Sequence, residues 1–110
     1  MHSIDFLVQG SAPGPYHVTF KKAGSSLTAI CTCPAGEVGQ YCKHRLRILA
    51  GETTGIVSDN HAAVSEVRSW LPGTDVELAI LELEKVEQEF EDARKRVSLS
   101  KKRLARTLMS

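Results

Sequence analysis

Within fourteen consecutive residues the chain places Cys31, Cys33, Cys42 and His44, in the order Cys-x-Cys-x8-Cys-x-His. These are all three of its cysteines. Three thiolates and one imidazole make a complete tetrahedral ligand set for Zn²⁺ and leave no position for water. Such a closed site holds a fold together and does no chemistry, so one structural zinc per chain is expected. An odd cysteine count argues against a disulfide framework. With all three thiols spent on one metal, the pattern suits a reducing compartment, cytoplasmic or nuclear.

The segment Tyr16 to Leu49 resembles the SWIM zinc finger, whose signature is Cys-x-Cys, a variable spacer, then Cys-x-His. The resemblance extends to Pro34 after the second cysteine, to Lys43 between the last two ligands, and to Phe6–Ser11 ahead of Tyr16-His17-Val18. It implies two strands and a helix around zinc, and a role in binding DNA or other proteins. An iron–sulfur cluster of the CDGSH kind shares the Cys-x-Cys-x8-Cys opening. It needs its histidine four residues after the last cysteine, behind Asp-Gly, whereas His44 follows Cys42 by two. Three unrelated buried cysteines remain the plainest alternative.

Turn residues divide the first half into short elements. Ile4 to Val8 reads as a strand ended by Gly10 and Pro13-Gly14-Pro15. Tyr16 to Lys21 and Leu27 to Cys31 alternate apolar residues on one face around the turn Ala23–Ser26. They predict a hairpin that delivers the first ligand at its end. Pro34 holds Cys33 extended, the chain must curl at Thr32-Cys33, and a loop Ala35–Tyr41 brings Cys42 back. A helix is expected from about Cys42 to a terminating Gly51. After a polar loop, Glu52–Asp59, Asn60 is positioned to cap a short helix through Trp70. His2, His17 and His61 have no ligand partners in this pattern, and His17 is expected to face solvent.

Thr74-x-x-Glu77 reads as a capping box, opening a helix that nothing interrupts before Leu108. The fold class expected is therefore α+β: a small zinc-nucleated ββα head over residues 1–72, then a long amphipathic helix over 73–110. The net charge of +1 hides a segregation along that helix. Asp75 to Asp92 holds eight acidic residues against Lys85 alone, whereas Ala93 to Leu108 holds seven basic residues and no acid. Val76, Leu83, Phe90, Val97 and Leu104 recur every seven residues, the period of a coiled-coil seam. Ala79, Val86, Ala93, Ser100 and Thr107, three residues on from each, are small or weakly apolar.

Two functions follow. One is a non-enzymatic adaptor that binds protein and self-associates, its helices pairing antiparallel so that acidic and basic halves meet and Phe90 lies near the crossing. The other is a nucleic-acid accessory factor contacting phosphates weakly through Lys43, Arg45 and Arg47 on the head and through Arg94, Lys95, Arg96, Lys101, Lys102, Arg103 and Arg106 on the helix. No apolar run is long enough to span a bilayer. No nucleophile triad, phosphate-cradling glycine loop or paired-carboxylate pocket is visible, so neither an enzyme nor a small-molecule substrate is expected.

Overall fold

The computed structural model describes residues 2–110. Three strands, β1 (His2–Val8), β2 (Tyr16–Ala23) and β3 (Ser26–Cys31), form an antiparallel meander in the order β1-β2-β3. Its register, with Phe6 opposite Val18, Ile4 opposite Phe20, and Val18 opposite Cys31, puts the buried Phe6, Val8, Val18, Phe20, Leu27 and Cys31 on one face. Phe6 and Phe20 meet edge to face, ring centroids 6.0 Å apart.

That face is covered by α2 (Lys43–Leu49) and α3 (Val64–Trp70), through Ile48, Leu49, Val64, Val67 and Trp70. A 3-10 turn, His61–Ala63, leads into α3. α2 ends as its glycine predicts. Gly51 takes φ +91°, its N–H donates to Ile48 O, and Glu52 N–H donates to Arg47 O, the paired bonds of a Schellman cap.

Three local expectations change. The stretch expected to be all loop opens with a short helix, α1 (Pro34–Glu37), because Pro34 presets the first helical φ and the Cys33 sulfur caps it. Asn60 makes no side-chain cap. Its amide nitrogen instead donates to Asp5 O at 2.6 Å, fastening the loop to β1. The polar loop after α2 is also ordered against the outer edge of β1. Ile56 bridges Val8, Gln9 N–H donates to Gly55 O, and Val57 N–H donates to Leu7 O. This occupies an edge that would otherwise present unpaired backbone groups.

α4 (Asp75–Met109) is 35 residues long, about 52 Å at 1.5 Å per residue. Thr74, almost fully buried, accepts the Glu77 N–H at 3.3 Å, one half of the expected capping box. The reciprocal half is displaced. Glu77 Oε1 accepts the Gly73 N–H at 3.1 Å, because the Thr74 N–H is already given to Leu71 O. The chain separates into one compact unit ending at Glu77 and a second, Leu78–Ser110. The second is helix alone, and no residue of α4 is fully buried.

Val76, expected as the first residue of the helix seam, belongs to the first unit and packs against its core. The row of large seam residues therefore begins in practice at Leu83. Leu83, Phe90, Val97 and Leu104 are all exposed.

Candidate metal centre

Each ligand arrives from a different local device. Cys31 is the last residue of β3, paired with Val18. The ladder continues one step further, with Thr32 N–H donating to His17 O at 3.0 Å and His17 N–H donating to Thr32 Oγ1 at 2.9 Å. The chain then turns. Cys33 is extended (φ −64°, ψ 160°), as a residue before proline must be, and its N–H donates to Cys31 Sγ at 3.5 Å. Cys33 Sγ accepts the Gly36 N–H at 3.2 Å.

Gly36 admits no other residue without movement. A Cβ there would fall on the carbonyl oxygen of Cys31, a backbone atom that cannot swing away. Two amide hydrogen bonds to sulfur and one glycine thus produce the curl that the Cys-x-Cys spacing demands. Pro34-x-Gly36 following Cys33 is the sequence signal for this arrangement.

Cys42 is the N-cap of α2, and His44 lies in its first turn. The imidazole turns Nδ1 inward, 3.5 Å from Cys42 Sγ and 3.8 Å from Cys31 Sγ. Cys33 and Cys42 sulfurs are 3.4 Å apart, too far for a disulfide near 2.05 Å, and the three cysteines are free. One ligand atom from each of the four residues lies within 4.8 Å of all the others. A tetrahedral zinc with Zn–S bonds of ~2.3 Å sets its sulfurs about 3.8 Å apart. The donor set and its spacing fit that ion.

The surroundings complete the fit. Cys31, Cys33 and Cys42 are buried and His44 is half-buried. With Nδ1 committed to the cluster, the imidazole proton belongs on Nε2, on the other side of the ring. The Tyr16 ring packs against the imidazole at a centroid distance of 5.2 Å. Tyr16 is a contributor that the ligand pattern alone does not reveal.

The thiols differ in acidity. Burial pushes Cys31 up to about 12. Burial acts upward on Cys42 too, but the Arg45 backbone N–H and the Cys33, His44 and Cys31 side chains outweigh it and hold Cys42 down to about 6. The Arg45 backbone N–H at the start of α2 thus favours the charged form of Cys42. A divalent metal at the site would oppose the upward push of burial on Cys31.

The head cations that the sequence groups together have separate jobs. Arg45 spends its guanidinium on structure, Nη1 donating to Ala29 O at 3.0 Å and Nη2 to Gln40 O at 2.7 Å. It ties β3 to the ligand loop and is not free for phosphate. Lys43 and Arg47 are exposed. On α4, Arg94 is bonded to Glu91 at 2.7 Å, the one ion pair among the described residues. Lys95, Arg96, Lys101, Lys102, Arg103 and Arg106 are exposed.

Residues 16–50 match the family model of the SWIM zinc finger. That span runs from the first residue of β2 to the C-cap of α2 and contains all four ligands. The matched segment thus coincides with the zinc-binding unit, and its Cys31, Cys33, Cys42 and His44 form a site suited to one structural zinc. No curated protein and no solved structure matches the chain.

Proposed function

We infer that this zinc-finger protein is a non-enzymatic adaptor: the zinc head presents a protein-binding surface, and the C-terminal helix joins it to a second copy. The observation that carries the reading is the exposed heptad series of α4. Leu83, Val86, Phe90, Val97 and Leu104 are 40%, 48%, 70%, 55% and 59% exposed on a helix that buries none of its residues fully. A helix with so regular an apolar row finds stability by packing that row against a partner, since isolated helices draw little from propensity alone. Zinc enclosed by four protein ligands has no open position for water or substrate, which supports a structural role for the ion.

A second reading, weak binding to nucleic acid, is favoured by one observation. Six exposed cations stand between Lys95 and Arg106 with no acid among them. Lys43 and Arg47 add to it by lining a groove of about 290 Å³ beside His44. Sedimentation of the zinc-loaded chain separates the two. The adaptor reading expects a dimer at tens of micromolar that persists in high salt. A monomer retained on DNA at low salt and released as salt rises identifies the second function instead.

A further inference from the structure

Resting on that reading, we propose that α4 pairs antiparallel with α4 of a second copy in one particular register, with Phe90 of each chain set against Ala93 of the other. Two independent features of the helix select it.

The first is side-chain size. Numbering the seam as an antiparallel coiled coil brings each residue of the large row opposite one of the row three residues on. With Phe90 against Ala93, Leu83 meets Ser100, Val97 meets Val86 and Leu104 meets Ala79. A large residue faces a small one in three of these layers, and two valines fill the fourth. Alternating sizes let the helices approach closely without leaving voids. A crossing with Phe90 on Phe90 would instead stack the largest side chains and leave the alanines unfilled.

The second is the charge beside the seam. In an antiparallel pair, residues immediately before the large row face their equivalents on the other helix, and so do those immediately after the small row. In the proposed register Glu82 meets Arg103, Glu89 meets Arg96, and Glu87 meets Arg94. Every one is an unlike pair, and each occurs twice by symmetry. All six side chains are exposed. Arg94 already holds Glu91 on its own helix, so the Glu89–Arg96 contacts are the cleaner probe. A parallel pair of the same helices sets Glu82 against Glu87 and Arg96 against Lys101, both repulsive, and keeps only Glu89 against Arg94 as an unlike contact. The same charges thus favour one orientation and oppose the other.

The test is the dimer dissociation constant of the intact, zinc-loaded chain by sedimentation equilibrium at low salt, for wild type, R96E and the double variant E89R/R96E. R96E places a second carboxylate opposite Glu89 at two symmetric positions and should weaken the antiparallel dimer by about tenfold. E89R/R96E restores both pairs with the charges exchanged and should return affinity to within about twofold of wild type. In a parallel dimer R96E would set the new carboxylate against Lys101 and tighten association. A wild-type dimer that R96E tightens or leaves unchanged overturns the register while self-association stands. A wild-type monomer at tens of micromolar overturns both. Circular dichroism and zinc content of each variant separate lost pairing from lost folding.

Discussion

The carboxylate of Asp75 accepts the backbone N–H of Leu27 at 3.0 Å across 48 residues of sequence, while the Asp75 N–H donates to Ser25 O at 3.1 Å. The first residue of the long helix is thereby stitched to the hairpin turn that leads to the first metal ligand. An acid in the first turn also complements the positive end of the helix. Replacing Asp75 with Ala should destabilise the zinc-loaded chain by about 1 kcal/mol, through the loss of one acceptor and one favourable charge. Urea denaturation followed by far-ultraviolet circular dichroism measures it. Asp75→Asn, which keeps an acceptor oxygen, should lose less; equal losses would remove the Leu27 bond from the account.

Removing the metal should unfold the head. Structural zinc contributes on the order of 10–16 kcal/mol in small fingers. With buried thiols otherwise facing one another, little replaces that. Elemental analysis should give one zinc per chain, and a strong chelator should abolish the near-ultraviolet signal of Trp70, which is buried in the core. Cys42→Ser should behave almost like the chelated protein, because a hydroxyl is a poor substitute for the thiolate that α2 prepares. A cooperative transition surviving in chelator would show that the sheet and helices fold without the ion.

Gly36→Ala tests the Cys-x-Cys turn without touching a ligand. The added methyl meets the Cys31 carbonyl, so the turn must open and both of its sulfurs must shift. Zinc affinity, measured by competition with a chromogenic chelator, should fall by about tenfold or more, the range seen when groups supporting a metal site are disturbed. Gly14→Ala, with open space around it, is the matched control and should bind zinc normally.

Arg45 and Arg47 should part company on mutation. Arg45→Ala leaves two backbone carbonyls without their charged donor and should cost about 1–2 kcal/mol of stability. Arg47→Ala, exposed two residues on and on another side of α2, should cost under about 0.5 kcal/mol. If the chain is retained on DNA, neutralising Arg94, Lys95, Arg96, Lys101, Lys102, Arg103 and Arg106 should abolish that retention with the zinc head intact. Retention that instead follows Lys43 and Arg47 would assign the reading surface to the head.

Along the apolar row, Val76 and Phe90 should also separate. Val76→Asp puts a charge against the core of the first unit and should destabilise the head by about 1–3 kcal/mol. Phe90→Asp, 70% exposed, should leave zinc binding and head stability unchanged and prevent dimerisation. The two variants compared by thermal melt and by sedimentation report on separate parts of the chain.

Much of this was written locally. Cys31, Cys33, Cys42 and His44 are legible because a tetrahedral metal constrains ligand type and spacing over a few residues. The hairpin, the Gly51 stop and the uninterrupted helix from Asp75 are legible because period-two and period-seven patterns and cap residues act within a turn or two of themselves. Partnership across the chain was not legible. Arg45, Arg47 and Lys43 look alike in sequence, and only the approach of β3 and the ligand loop takes Arg45 out of the surface. Asn60 looks like a cap until Asp5, 55 residues away, claims its amide. Val76 looks like the start of a seam until the core of the first unit covers it. The physical reason is the same each time. A polar or apolar side chain goes to whichever partner the packed fold brings within reach, and that proximity exists only once the sheet, the metal loop and the helices have come together.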